Sequence, residues 1–156
     1  MLKICRSYRE LNIQQLLEVY SQSLSEESIS RFRAEQEYCD YLRENFFSIP
    51  NAFYALWDLE GRYVSGLRME PYQDGFLLSW LETEPQERGK GYGKKLVKSV
   101  IEFLFLQESS PVYVHIHKKN TISLALHHAC DFVTIQDYGV LLDGTVSYNY
   151  FTLCRK

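Results

Sequence analysis

Residues 87–96 have the sequence "ERGKGYGKKL", which combines three glycines with four basic side chains. The glycines alternate at positions 89, 91 and 93, just where an apolar helical pattern begins. A glycine-rich turn at a helix N-terminus binds anions, because its N–H groups turn toward the ligand and the helix dipole adds positive charge. Lysine and arginine add charged donors for phosphate oxygens. The stretch therefore predicts a phosphate or pyrophosphate cradle; the alternative is a solvated basic turn.

The spacing of these glycines excludes two common nucleotide motifs. A P-loop requires GxxxxGK followed by Ser or Thr, and no such pattern follows Gly89. The dinucleotide fingerprint GxGxxG fails because Leu96 stands where a third glycine would follow Gly91 and Gly93. Neither motif explains the stretch.

Hydrophobic periodicity predicts the elements that position this turn. In chain order they are a strand at "LKICRSY", helices at "ELNIQQLLEVYSQSL" and "SISRFRAEQEYCDYLRENFF", a hairpin at "AFYALWDLEGRYVSGLRME", a strand at "FLLSWLET", a helix over Leu96–Phe105, a strand at "PVYVHIH", a helix at "NTISLALHHAC", and strands at "DFVTIQDYGVLL" and "TVSYNYFTLC". The candidate core side of the second helix is Ile29, Phe32, Tyr38, Tyr41, Leu42 and Phe46. The order β-α-α-β-β-β-α-β-α-β-β predicts one α/β domain over residues 1–156, with a mixed sheet of about seven strands and four helices.

Two segments resemble motifs of the GNAT superfamily of acyl-CoA-dependent N-acetyltransferases. In "PQERGKGYGKKL", residues Pro85, Arg88, Gly89, Gly91 and Gly93 are similar to the signature at the start of that family's third helix. "NTISLALHHACDF" resembles its second motif, although Asp131 stands where the family has glycine. The order of elements is also similar over nearly the whole chain. The resemblance implies the GNAT fold.

The resemblance further implies acetyl-CoA as co-substrate. Its pyrophosphate would lie on the turn formed by Arg88, Gly89, Lys90, Gly91, Tyr92 and Gly93, with Lys94 following. Its pantetheine arm would pair with the strand at Leu81–Thr83, and Asn120 and Ser123 would contact the coenzyme from the last helix. The implied reaction is direct acetyl transfer to a primary amine of a small molecule or peptide, through a tetrahedral intermediate.

Two residues are candidates for proton transfer. His127 occupies the position of the family's tyrosine, seven residues beyond Asn120, and could protonate the thiolate or act as a base. Asn120, Ser123 and His127 share a helix face that is expected to face the coenzyme; the core side is expected to be Ile122, Ala125, Leu126 and Ala129. Glu82, beside Glu84 and opposite Thr83 in strand alternation, is the candidate base for the amine. His115 and His117 could also serve; the alternatives are a surface histidine and a solvated acidic pair.

The segment 25–45 is acidic and aromatic, and the first two helices form a wall of the acceptor site in the family that it resembles. Such a wall suits a cationic amine through charge and cation–π contact. The alternative is a solvated face of mixed charge.

Composition excludes several other classes. A net charge of −3 argues against nucleic-acid binding, and no apolar run is long enough to span a membrane or to form a signal peptide, so a cytoplasmic protein is expected. The four scattered cysteines are expected to be free thiols, and no spacing of cysteines or histidines matches a metal site. A monomer or a homodimer is expected. Two alternatives from other classes are a non-catalytic acyl-CoA-binding module and an interaction protein that binds no nucleotide.

Overall fold

The computed structural model describes residues 1–107, 109–141 and 143–156. The strands are β1 Leu2–Cys5, β2 Phe53–Leu59, β3 Arg62–Tyr72, β4 Gly75–Thr83, β5 Val112–His117, β6 Val133–Gln136, β7 Gly139–Val140, β8 Val146–Ser147 and β9 Tyr150–Arg155. The helices are α1 Ile13–Val19, α2 Ser21–Ser25, α3 Arg31–Glu44, α4 Tyr92–Gln107 and α5 Thr121–Ala129. The mixed seven-stranded α/β architecture predicted from the sequence is confirmed.

Three predicted elements are divided in two. The first helix is interrupted at Tyr20, so α1 and α2 replace one helix. The strand predicted at "DFVTIQDYGVLL" forms β6 and β7, and its predicted end, Leu142, lies outside the described residues. The last strand is divided between β8 and β9.

One sheet has the strand order β1-β2-β3-β4-β5-β9-β6, and β7 pairs separately with β8. Helix α4 packs on one face, where its apolar rows cover Ala55, Leu67 and Leu78. Helices α1 to α3 cover the opposite face over Tyr54 and Leu56. The alternation along β2 and β3 therefore sends successive side chains to two different cores.

The burial of α3 differs from the expectation. Ala34, Tyr38 and Leu42 are its buried residues. Phe32 is 75% exposed and Tyr41 is 40% exposed, so the prediction that both face the core was wrong. The i,i+4 row Ala34–Tyr38–Leu42 is the face that meets the sheet, and Phe32 lies off that row.

Strands β4 and β5 are parallel neighbours that separate soon after they meet. Their pairing is confined to Phe76↔Val112 and Leu77↔Tyr113. On the other side of β4, the register with β3 shifts between Gly66↔Glu82 and Arg68↔Ser79, and Trp80 has φ +54°. This is a β-bulge, which bends a strand and re-aims its side chains. The β5-facing edge of β4 therefore borders an opening from residue 78 onward.

The bulge is held from the helical layer. The hydroxyl of the fully buried Tyr20 donates a 2.6 Å hydrogen bond to the carbonyl of Trp80. Gly66 makes room for this hydroxyl, because a Cβ at that position would lie 3.1 Å from the Tyr20 hydroxyl and 3.1 Å from Leu56.

Replacing Tyr20 with phenylalanine should lower the free energy of unfolding by about 1–3 kcal/mol, because the Trp80 carbonyl loses its donor in a partly buried place. Urea unfolding measures this loss. A Tyr63→Phe variant is the comparison, because it also removes a buried tyrosine hydroxyl, bonded to Lys3 and Asn12, and leaves the Tyr20–Trp80 bond intact. An unchanged free energy of unfolding in Tyr20→Phe would contradict a stabilising role for the hydrogen bond to Trp80.

Candidate active site

The glycine turn closes a cleft of about 680 Å³ between the end of β4, the start of α4 and α5. Gly89 has φ +79° and Gly91 has φ +84°, conformations that L side chains rarely adopt. Gly93 is needed for a different reason: a Cβ there would lie 3.3 Å from Leu126 and 3.4 Å from Thr83. The first two glycines shape the turn, and the third lets α4 approach α5 and β4.

The backbone of this turn offers hydrogen-bond donors. Lys95 donates its amide to the carbonyl of Gly91. In the described part of the chain, no backbone acceptor is found for the amides of residues 89–94. Unpaired amides at a helix start, together with the helix dipole, favour an anion. The turn is therefore suited to a phosphate or pyrophosphate, as predicted from its composition.

The basic side chains around the turn do different things. Arg88 lies across the cleft floor: its Nε donates to the Thr83 carbonyl at 3.0 Å, and its guanidinium also contacts Gln22 and, at 3.6 Å, Glu82. Lys90 donates to Glu87 at 2.8 Å. Lys94 lines the cleft. Arg88 therefore fixes the end of β4 relative to α2, which leaves Lys94 as the cleft's available cation.

Helix α5 forms the opposite wall. Asn120 caps this helix, because its side-chain oxygen accepts from the Ser123 amide at 3.1 Å. Asn120, Ile122, Ser123 and Leu126 line the cleft, together with Leu81, Glu82, Thr83 and Tyr92. The cap uses the amide oxygen of Asn120, so its amide nitrogen is the group left for a ligand.

The face of α5 that packs inward was predicted incorrectly except at Leu126, which packs against the core. Ile122 is 82% exposed, and Ala125 and Ala129 are also exposed. His127 is instead the buried residue of the helix, at 1% exposure. It packs edge-on against Phe132 with ring centroids 5.1 Å apart. Ser123 and His127 therefore lie on the side of α5 that faces the opening between β4 and β5, and His127 is buried there. Ala125 and Ala129 face solvent.

The contacts of His127 show which of its ring nitrogens carries a proton. Its Nδ1 lies 2.8 Å from the Ser123 carbonyl, which can only accept, so Nδ1 carries the proton. Its Nε2 is buried and has no partner among the described residues. Burial lowers the pKa of His127, and the Ser123 hydrogen bond opposes this only in part.

A second cavity of about 300 Å³ lies in the opening between β4 and β5. Trp80, His115, His127 and Tyr150 are among its lining residues. His115 donates Nδ1–H to the Thr152 hydroxyl at 2.9 Å, because that hydroxyl itself donates to the Tyr138 carbonyl at 2.7 Å. In the neutral ring the His115 Nε2 is unprotonated; it is also buried and without a partner in the described residues. Burial lowers the pKa of His115.

Glu82 lines the cleft at the glycine turn, close to the opening between β4 and β5. Its carboxylate accepts a 2.6 Å hydrogen bond from the Ser23 hydroxyl. Burial raises the pKa of Glu82, while Ser23 and Arg88 offset part of that shift. Glu84 is held elsewhere, in an ion pair with Arg62. The sequence did not reveal the bulge at Trp80. Because of this bulge, the side chains of β4 just before Glu82 do not alternate regularly between the two faces of the sheet.

The described residues contain no group of three or more His, Cys, Asp or Glu that could hold a metal ion. Over the same residues, no helix has the length and apolar character needed to cross a membrane. The four cysteines are free thiols, of which Cys5, Cys130 and Cys154 are buried.

Several solved structures share this fold. The PaiA N-acetyltransferase of Thermoplasma acidophilum in complex with coenzyme A has a TM-score of 0.68 at 12% identity, covering 100% of this chain and 99% of that one. The N-acetyltransferase PseH of Campylobacter jejuni in complex with acetyl coenzyme A has a TM-score of 0.67 at 16% identity, with 100% and 99% covered. A ribosomal-protein-alanine N-acetyltransferase of Brucella melitensis has a TM-score of 0.65 at 16% identity, with 99% and 98% covered. At such identities the likeness concerns the fold.

No curated protein matches the sequence significantly. The model of the acetyltransferase (GNAT) family, in contrast, matches residues 13–132, which include the glycine turn, β4, β5 and α5. This match covers well over half of the chain. The protein therefore belongs to the GNAT acetyltransferase family.

Proposed function

We propose that residues 1–156 form a single acetyl-CoA-dependent N-acetyltransferase domain. The observation that carries the proposal is the cleft in which unpaired amides of the glycine turn lie beside the free edge of β4 and lead into the opening between β4 and β5. Two neighbours with this fold are bound to coenzyme A and to acetyl coenzyme A. Family membership supports the same class of reaction.

The cleft fits the parts of acetyl-CoA. The pyrophosphate would be held by the amides of residues 89–94 and by Lys94. The pantetheine amides would pair with the β4 edge at Leu81–Thr83, because an extended amide chain can bond an open strand edge as a peptide does. Asn120 and Ser123 would contact the arm from α5. When bound, acetyl-CoA supplies an acetyl group activated as a thioester.

The chain must then remove a proton from the amine, which is an ammonium at neutral pH. We assign this step to Glu82, because its carboxylate lines the cleft and is partly exposed, whereas Glu87, the other carboxylate of the cleft, pairs with Arg62 and Lys90. Burial raises the pKa of Glu82 and so makes it a stronger base than an ordinary surface glutamate. The Nε2 atoms of His115 and His127 are covered and would have to be uncovered before they could take a proton.

A proton-donor role for His127 stays a prediction. In this arrangement Nδ1–H is bonded to Ser123 and Nε2 carries no proton, so donation to a thiolate would need a prior protonation that burial opposes. We expect His127→Phe to keep turnover within about threefold, because an aromatic ring of similar size replaces a covered and neutral one. Steady-state thiol release measures this. A loss of two orders of magnitude, with unchanged acetyl-CoA affinity, would show that His127 is a catalytic residue.

The acceptor is an amine of a small molecule or a peptide. Three of the six acidic side chains in segment 25–45 pair with its three arginines: Glu35 with Arg31, Glu37 with Arg33 and Asp40 with Arg43. One structural neighbour is named as a ribosomal-protein-alanine N-acetyltransferase, so its acceptor is an alanine of a ribosomal protein. The wall of α3 therefore gives little net attraction for a polyamine.

Thiol release from acetyl-CoA in a panel of amines tests the proposal, with the acetylated product identified by mass. Release that depends on an amine supports the enzyme. Tight acetyl-CoA binding with no release for any amine would instead support the non-catalytic acyl-CoA-binding module.

A further inference from the structure

Arg68 is a buried cation on β3 that lines neither the cleft at the glycine turn nor the cavity between β4 and β5. It lies in the middle of the strand, opposite Ser79 and next to the bulge, and is 4% exposed. Its side chain enters the helical layer on the face covered by α1 to α3, between the rings of Tyr38 and Tyr54. Arginine is among the residues most rarely buried without a partner.

Five aromatic rings surround the guanidinium. The distances from its central carbon to the ring centroids are 4.3 Å for Trp80, 5.2 Å for Tyr38, 5.2 Å for Tyr41, 5.6 Å for Phe46 and 5.8 Å for Tyr54. Such rings stabilise a cation through their negative faces. They do not neutralise its charge.

No carboxylate of the described chain forms an ion pair with Arg68. None of the described carboxylates lies within 4.0 Å of its guanidinium nitrogens, and its Nε is buried without a hydrogen-bond partner. Burial raises the pKa values of Tyr20, Tyr38 and Tyr54 well above the usual range, so these hydroxyls stay neutral. Glu70 follows on the same strand face, and burial raises its pKa while Arg68 lowers it, but its carboxylate lies more than 4.0 Å from the guanidinium nitrogens. A buried charge without a partner is costly, so an anion from outside the chain would be bound strongly.

The guanidinium lines a cavity that a small molecule can enter. This cavity has a volume of about 260 Å³ and is lined by Leu24, Glu27, Ala34, Glu37, Tyr38, Tyr41, Arg68 and Trp80. Glu27 and Glu37 are exposed and stand at the rim, where solvent screens them. Trp80 also lines the cavity in the opening between β4 and β5. A molecule bound against Arg68 would therefore be a neighbour of the acetyl-transfer site.

We propose that this cavity binds a carboxylate of the acceptor, with Arg68 as the specificity-determining residue, so that the acceptor is an amine that also carries a carboxylate. The proposal rests on the acetyltransferase function proposed above. A guanidinium forms two parallel hydrogen bonds with a carboxylate, which gives direction as well as charge. The aromatic walls suit an apolar linker between the two ends of such a molecule.

The fluorescence of Trp80 tests the binding step without coenzyme or turnover. The chain has two tryptophans, so Trp57→Phe leaves Trp80 as the single reporter, stacked 4.3 Å from the guanidinium carbon. Succinate and propionate are titrated against propionamide and propylamine at equal ionic strength. We expect a saturable change in emission with the carboxylates only, and at least a tenfold weaker dissociation constant after adding Arg68→Gln. Arg68→Lys keeps the charge but cannot form the two parallel hydrogen bonds, so its carboxylate affinity should lie between those of the Trp57→Phe parent and Arg68→Gln.

A second arm uses turnover. β-Alanine is compared with β-alaninamide, a pair that differs only in the carboxylate, and the carboxylate should raise kcat/KM by about tenfold or more. Arg68→Gln should abolish the preference and leave the acetyl-CoA dissociation constant unchanged, because Arg68 does not line the coenzyme cleft.

The proposal is overturned if no carboxylate changes Trp80 emission, or if Arg68→Gln responds as the parent does while remaining folded by its unfolding transition. The acetyltransferase proposal fails by a different measurement. If it is wrong, acetyl-CoA does not bind, and this result does not depend on the Trp80 emission. If Arg68→Gln is unfolded, Arg68→Lys decides: unchanged carboxylate affinity in that variant contradicts a role for the two parallel hydrogen bonds.

Discussion

Replacing Gly91 with valine should weaken acetyl-CoA binding by about 100-fold, by calorimetric titration. Two costs combine. Gly91 has φ +84°, where a side chain costs about 1–2 kcal/mol or more when it is β-branched. A shift of the turn would also misalign amides whose bonds to a charged phosphate contribute about 1.5–3 kcal/mol each. Together these two costs correspond to a rise of roughly 100-fold in the acetyl-CoA dissociation constant.

Gly144 offers a matched control. It has φ +83° and, like Gly91, nothing within 4 Å of the position of a Cβ, but it lies in the turn before β8 and not in the cleft. Gly144→Val carries the same conformational cost in a turn outside the cleft and should keep its acetyl-CoA affinity. Equal affinities in both variants would mean that the glycine turn does not hold the coenzyme.

Replacing Glu82 with glutamine should lower kcat by about 10²-fold or more while acetyl-CoA affinity stays the same. Glutamine keeps the size of the side chain and can still accept the Ser23 hydrogen bond, but it cannot take a proton. Stopped-flow thiol release with a saturating amine measures the loss. Glu84→Gln is the control, because Glu84 pairs with Arg62 and should leave kcat nearly unchanged.

The effect of Glu82→Gln on the stability of the fold depends on pH. Burial raises the folded-state pKa of Glu82 above its ordinary value, so folding favours the protonated form. That contribution is fully present below the unfolded-state pKa of 4.5 and is lost as pH rises through the folded-state pKa. At neutral pH the ionised carboxylate therefore gives no such support, and Glu82→Gln should melt at the same temperature as the parent or higher. In the active enzyme, turnover should fall as pH is lowered through the raised pKa.

A clear drop in melting temperature for Glu82→Gln at pH 7 would show that the carboxylate is structural. An unchanged kcat would remove Glu82 as the base and return attention to His115, whose Nε2 is unprotonated.

Much of the fold follows from the sequence because its signals are local. The apolar rows of α4, the hairpin of β2 and β3 and the glycine turn each depend on neighbouring residues, and each is where the pattern predicts it. The cleft was likewise predictable, since the turn, β4 and α5 each carry a recognisable motif.

What the sequence could not show depends on contacts between distant residues. The bulge at Trp80 is fixed by Tyr20, 60 residues away, and neither residue signals it locally. The burial of His127 depends on Phe132 and on the approach of α4 through Gly93, which override the apolar pattern of α5. Arg68 has the pattern of an ordinary strand residue, and its role depends on five rings that converge on it from α3, β2, β4 and the segment between α3 and β2.

Thermal unfolding with and without acetyl-CoA tests the central claim most directly, with ATP and NAD as controls. At a hundredfold its dissociation constant, a ligand stabilises the folded state by about 2.7 kcal/mol, or roughly 5–10 °C for a chain of this size. We predict that shift with acetyl-CoA and none with ATP or NAD. No shift with acetyl-CoA, or an equal shift with all three, would contradict a coenzyme site at the glycine turn.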